Sequence, residues 1–198
     1  MKKTYAVSEQ TKRALAAALK EKMAHKPLSR ITIGELTEAC GMKRQNFYYH
    51  FEDIYDLMRW MFREEAVVLL RQHEGALLWQ DGLLQLFQYM QENRAVCLCA
   101  LRSTGRDFLK QFFADDIHSI IHLTIEQVAR DIGYAGGGVD LELMTNFYVV
   151  ALAGLMESWL LGEIDRTPEQ LIAFADEMLQ TQILGAYIRI HGAPPEEA

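Results

Sequence analysis

Residues 31–58 read ITIGELTEACGMKRQNFYYHFEDIYDLM, and the order of residue types in them sets the expectation for the rest of the chain. Thr32 followed by Glu35 has T-x-x-E spacing: the threonine hydroxyl accepts from the glutamate amide, and the glutamate carboxylate accepts from the threonine amide. A helix is therefore expected over 33–40. Gly41 ends it, because glycine adopts the left-handed conformation that a sharp reversal needs. A second short helix, 44–50, follows. Phe47 and Phe51 are four apart and share a face, with Leu28, Ile31, Ile33 and Leu36 as the expected small core. Lys43, Arg44, Gln45 and Tyr48 are left pointing away from it. Upstream, about 8–25, Leu15, Leu19 and Met23 recur at helical spacing and can brace the pair. Two short helices joined by a Gly turn and backed by a third make a helix-turn-helix arrangement.

The outward residues have a consistent chemistry. An α-helix fits the major groove of DNA, where Arg or Lys can pair with guanine and Gln or Asn with adenine. Lys43, Arg44 and Gln45, at the start of the second short helix, are the expected base contacts. Hydroxyl, amide and imidazole groups suit phosphate oxygens, which fix register without reading sequence; Thr32, Asn46, Tyr48, Tyr49 and His50 are assigned there. A short charged helix is ordinarily just a solvated surface. Here capping box, Gly turn, outward Tyr-Tyr-His and local positive charge coincide in one segment, which favours a nucleic-acid partner.

Charge supports the same division. The chain of 198 residues has a net charge of -7. Residues 1–51 hold ten Lys and Arg against four Glu, a balance of +6, and residues 52–198 hold ten against 23, a balance of -13. A basic head on an acidic body suggests that only the head meets a polyanion. Two domains are expected, 1–51 for DNA and 52–198 for the remainder. Three cysteines, Cys40, Cys97 and Cys99, are too few for a disulfide framework and suit a reducing compartment, so a cytoplasmic location is expected. The longest apolar run, 147–156, is far short of the roughly 20 residues that span a bilayer, and no membrane partner is expected.

The fold class expected is all-α. Apolar residues recur at helical spacing in Ile54, Leu57, Met58, Met61 and Phe62, and in Ile117, Ile120, Ile121, Ile125 and Val128. Nine helices are read: about 8–25, 33–40, 44–50, 53–73, 82–92, 94–102, 106–132, 140–162 and 168–190.

Residues 31–58 also resemble the DNA-binding segment of TetR-family transcription regulators, whose pattern runs from a Thr opening the second helix, through Gly-Val-Ser, to Thr-x-Tyr-x-His-Phe and a Leu in the fourth helix. RQ-x-FYYHF-x-D-x-YDL, residues 44–57, is similar to the subgroup that includes the activator of the dihydroxyacetone kinase operon. Four positions depart from the pattern. Lys43 stands where the family usually has a capping Ser, Asn46 where it has Thr, Thr37 where it has a small Ala, and Ile54 where many relatives carry a phosphate-binding Lys. The resemblance implies a homodimer on a near-palindromic operator, with an effector bound in the helical C-terminal domain. In the dihydroxyacetone subgroup that effector can be a protein instead of a small molecule.

Helices 140–162 and 168–190 are apolar on more than one face, too much for packing within one subunit. Ala151, Leu155, Trp159, Met178, Ile183 and Tyr187 are the expected dimer contacts. Trp60, Met61, Phe87, Met90, Cys97, Phe108, Phe112 and Tyr148 are candidates to line an apolar effector pocket between helices, although such a stripe is more often plain core. Catalytic and metal constellations are weak. Asp115, His118 and His122 share a helix face, but two such histidines are more often solvated, and Cys97 and Cys99 have no second pair. No cofactor, metal site or enzymatic activity is expected. The alternative is a helical ligand- or protein-binding module that binds no operator.

Overall fold

The computed structural model describes residues 2–67, 79–104, 107–112, 114, 117–131 and 140–191. Among them lie ten α-helices and no strand: α1 (Lys2–Met23), α2 (Ile33–Ala39), α3 (Arg44–Tyr48), α4 (Ile54–Phe62), α5 (Trp79–Glu92), α6 (Arg94–Thr104), α7 (Asp107–Phe112), α8 (His118–Asp131), α9 (Leu141–Leu161) and α10 (Pro168–His191). A 3-10 turn, Leu28–Arg30, precedes α2, and a π-helical turn, Arg63–Val67, continues α4.

Two corrections follow for the elements. The helix expected over 106–132 is two helices, α7 and α8. Between them Ala114 and Ile117 are π-helical. The helix expected over 53–73 is α-helical only to Phe62, and residues 68–73 lie outside the described residues.

The chain forms two compact units, Met1–Val68 with Tyr89–Phe108, and Leu69–Gln88 with Leu109–Ala198. The first is larger than the head read as 1–51, for a reason visible in α1. Leu15, Leu19 and Met23 are fully buried, and α1 packs on α2, α4 and α6 together. Leu57, Met58 and Met61 of α4 and Val96, Cys97, Ala100 and Leu101 of α6 are buried in this unit. A three-helix head of about fifty residues would leave α1 half covered. Burying each such side chain contributes about 1.5–3 kcal/mol, so the extra helices are part of the head's stability.

The π-helical turn carries a polar knot in this unit. Glu65 accepts from the Lys20 ammonium and from the Tyr89 hydroxyl, the latter at 2.8 Å. Burial, with the Glu65 charge beside it, raises the Tyr89 phenol far above its ordinary range, so it stays protonated and donates.

In the second unit, Ile125 and Ala129 of α8, Tyr148 of α9, and Leu179 and Ile183 of α10 form one buried cluster, with Ile121, Val128, Leu141, Met144 and Tyr187 packed against it. Gln182 accepts from the Tyr148 hydroxyl at 3.1 Å. α9 starts on Asp140, whose carboxylate accepts the Leu143 amide. It ends on Gly162 in the left-handed region at φ 79°. By length and composition alone α9 could cross a membrane, yet it buries Thr145 and Glu157 among protein, as a core helix does.

Candidate nucleic-acid interface

The turn between α2 and α3 is built as the sequence requires. Thr32 caps α2: its hydroxyl accepts the Glu35 amide at 3.3 Å, and the Glu35 carboxylate accepts the Thr32 amide at 2.8 Å. Lys26 is ion-paired to the same carboxylate. That hydrogen bond from Lys26, then those from Thr32, lower the Glu35 pKa to about 2. At the other end Gly41 has φ +63°. The Gly41 amide donates to Glu38 O and the Met42 amide to Thr37 O, at 3.0 and 2.8 Å. This nested pair closes the helix and reverses the chain. Thr37, where a small Ala was the expected pattern, is buried with its hydroxyl donating to the carbonyls of Ile33 and Gly34, so the extra oxygen is satisfied inside α2.

α3 is anchored by one side chain. Phe47 is 0 % exposed, while Tyr48 and Tyr49 on either side of the helix end are 61 % and 82 % exposed. Lys43, Arg44, Gln45 and Asn46 are all exposed. The geometry therefore brings every expected base contact, and Asn46, Tyr48 and Tyr49 of the expected phosphate contacts, onto open surface around one buried phenylalanine; Thr32, at the start of α2, is exposed as well. Lys43 makes no side-chain cap for α3, which leaves its ammonium free of that duty.

The other two phosphate candidates are already engaged. The Thr32 hydroxyl, besides accepting from the Glu35 amide, donates to the Glu35 carboxylate at 3.0 Å. His50 is half-buried with Nδ1 3.4 Å from Ser8 Oγ. Burial, then the Lys12 charge, lower its pKa, so near neutral pH it is an uncharged imidazole and offers a phosphate no charge. The Thr32–Glu35 pairing follows from the T-x-x-E spacing, whereas nothing in the local sequence points from His50 to Ser8, 42 residues away.

A residue that sequence reasoning passed over is Gly34. A Cβ built on it would meet Arg44 Nη2 at 2.7 Å, Nε at 3.3 Å and Cζ at 3.4 Å. The Arg44 guanidinium thus lies against the backbone of α2. A glycine inside a helix, away from any turn, was the available signal.

The residues considered for an effector pocket divide between the units. Trp60, Met61, Met90 and Cys97 belong to the first, and Phe87, Phe112 and Tyr148 to the second. Trp60 meets Phe51 edge-on at 5.8 Å with the Lys12 ammonium 5.7 Å from its ring, so it supports the end of α3. Met61, Phe87, Met90, Cys97 and Tyr148 are buried, and burial raises the Cys97 thiol pKa to about 12. Phe87 packs edge-on against Trp159 at 4.9 Å. Phe108 lies in α7, its side chain outside the described residues.

Of the expected dimer contacts, Met178 is exposed, and Ala151, Leu155 and Trp159 are half-buried. Ile183 is 1 % exposed inside the α8–α9–α10 cluster, and Tyr187 packs on the same cluster. Ile183 is thus buried within its own subunit, a correction to the assigned surface, while Tyr187 is half-buried. The open apolar residues are instead Leu143, Phe147 and Val150 on α9, and Phe174, Met178, Leu184 and Ile188 on α10. Their spacing, i, i+4, i+7 on α9, draws one stripe along the helix.

His118 and His122 stack with rings 6.2 Å apart and nearly parallel. Glu142 lies 3.2 Å from His118 Nε2 and 3.5 Å from His122 Nδ1. Thr145 donates its hydroxyl hydrogen to Leu141 O, so at 2.9 Å it accepts from His122 Nδ1–H. This arrangement ties α8 to α9; Asp115 is outside the described residues.

Comparisons with known proteins agree with the geometry. The family described as "Transcriptional regulator C-terminal region" matches residues 78–181. The HTH-type dhaKLM operon transcriptional activator DhaS of Lactococcus lactis subsp. lactis (strain IL1403) is 27% identical over 84 residues, 42% of this chain and 45% of that protein; the match thus spans less than half of the relative's length. The solved dihydroxyacetone kinase operon activator DhaS aligns with a TM-score of 0.68 at 21% identity, covering 87% of this chain and 96% of that one. A crystal structure described as a TetR-family transcriptional regulator from Rhodococcus sp. aligns with a TM-score of 0.55 at 19% identity, covering 93% of this chain and 100% of that one. Both structural likenesses concern the fold.

Proposed function

Because the chain belongs to the TetR family of transcriptional regulators, we propose that it binds operator DNA as a homodimer, α3 entering the major groove, and that an effector held by its C-terminal helices switches that binding. One observation carries the reading. A five-residue helix, pinned by Phe47 behind a glycine reversal, presents Lys43, Arg44, Gln45, Asn46, Tyr48 and Tyr49 to solvent, within residues 1–51, whose charge balance is positive. Lys43, Arg44 and Gln45 read base edges; Asn46, Tyr48 and Tyr49 fix register on phosphates.

The open stripes of α9 and α10 support pairing with a second copy. A two-fold axis makes the same patch meet itself, and it would set two copies of α3 about one DNA turn, roughly 34 Å, apart on a near-palindromic site. An effector, small molecule or protein, acts by binding one separation of the heads better than another. A cytoplasmic location fits that work.

The test is competition binding of the full chain to DNA flanking its own gene, read as a mobility shift with the stoichiometry determined. Two chains per duplex and resistance to excess random DNA are expected. One chain per duplex, or displacement by random DNA as easily as by the flanking duplex, would overturn the dimeric-operator reading.

A further inference from the structure

Gly34 is the second residue of α2, just after the Thr32 cap, yet its φ is not in the left-handed region, where only Gly41 and Gly162 are found among the described residues. No turn requires a glycine there, and where φ is ordinary glycine loses more conformational freedom on folding than alanine does. The nearest groups a Cβ would meet are all on one side chain, the Arg44 guanidinium. The missing methyl therefore serves as a slot for Arg44.

We infer that Gly34 is a specificity-determining positioning residue: its bare backbone seats the Arg44 guanidinium against α2 and so fixes which base edge Arg44 reads. The inference rests on the DNA-binding reading above and adds a second residue to it. Arg44 opens α3 and is otherwise exposed on a long, flexible stem. An arginine free to sample its rotamers loses that freedom on binding and can reach more than one base pair. Held against α2, its planar fork has fewer directions open to it. Adding a Cβ at 2.7 Å from Nη2 lifts the guanidinium out. The displaced group is the mobile end of a side chain on open surface, so the fold tolerates the change while the direction of Arg44 is lost.

The experiment uses the full chain and a duplex selected by the wild-type protein from a random pool. Affinity is measured for that duplex and for every single-base-pair variant of it, with wild type, Gly34→Ala, Arg44→Ala and the double variant. Gly34→Ala is expected to leave the melting temperature unchanged or raised and to lose about five- to tenfold of discrimination at one base pair, part of what a bidentate Arg–guanine contact provides. The position affected is the one Arg44→Ala affects, and the double variant loses no more than Arg44→Ala alone. Gly34→Ser, with a similar reach, gives the same profile and keeps the test open if one variant folds poorly.

Equal weakening at all positions, a loss at a different position from Arg44→Ala, or additive losses in the double variant would overturn the inference while leaving operator binding intact. If no duplex is enriched by wild type, or Arg44→Ala leaves every preference unchanged, the DNA-reading assignment fails and this inference with it.

Discussion

Arg44 and Gln45 sit on open surface at the start of α3, and each is expected to matter at one place in the operator. Alanine at either should relax base preference at a single position and cost about 1–3 kcal/mol of discrimination there. Tyr48→Phe removes only a hydroxyl and should weaken all sequences alike, as a lost phosphate contact does. Binding to a panel of single-base-pair variants separates the two patterns, and a uniform loss for Arg44→Ala would move that residue to the phosphate group. Which side chains face out was legible in the sequence, because Phe47 and Phe51, four apart, leave the remaining positions of a short helix nowhere to go but solvent. Which of them are free was not. Thr32 spends its hydroxyl on Glu35, and His50 leans on Ser8. The first follows the T-x-x-E spacing, which does not by itself weigh the cap against a phosphate role, and the second depends on a residue distant in the chain that no spacing rule encodes. Gly34 was visible as a helical glycine without a turn, but its meaning required the position of Arg44.

The α2–α3 reversal is where local sequence and tertiary structure agree most closely, and it is correspondingly vulnerable. Gly41→Ala places a Cβ in the left-handed conformation of φ +63° and should destabilise the first unit by about 1–2 kcal/mol, lowering the melting temperature with helix content unchanged. Thr32→Ala removes the cap of α2 and should cost about 1 kcal/mol. The capping carboxylate also sets a pH dependence. Because the folded pKa of Glu35 is lowered from 4.5 to about 2, its contribution is fully present above 4.5 and is lost as pH falls through about 2. The gap in stability between wild type and Glu35→Gln, followed by circular dichroism through that window, should close toward the acid end. Salt should shrink it, since the pair with Lys26 is exposed to solvent. Elsewhere periodicity does not mark the helix type: the apolar repeat of 106–132 spans two α-helices with Ala114 and Ile117 π-helical between them, since a repeat records which face is buried and not the winding of the backbone. The compact first unit extends past the boundary read at 51 for a related reason. Charge changes sign there, but α1 is covered by α4 and α6, so packing carries the unit further along the chain.

The second unit leaves an apolar stripe open on α9 and α10, and the account assigns it to a second copy of the chain. Phe147, 57 % exposed, and Leu184, 41 % exposed, are the positions to test. Phe147→Glu combined with Leu184→Glu should convert a dimer into a monomer in analytical ultracentrifugation while preserving helix content, because neither side chain is needed in its own core. With one head instead of two, operator affinity should fall by at least a hundredfold. An unchanged dimer would place the interface elsewhere. The sequence showed that these helices carry more apolar surface than one subunit can bury, but not which face remains, since Ile183 could be assigned inward only once α8 was seen beside it. The account stands on sequence-specific DNA binding by the basic head, and the most direct measurement is fluorescence polarisation of the full chain with its selected duplex and a base-shuffled duplex at several salt concentrations. The account predicts at least a thousandfold preference for the selected duplex, with log affinity for each falling linearly with log salt as counterions are released. Equal affinity for the two duplexes at every salt concentration, or an affinity that salt does not change, would contradict it.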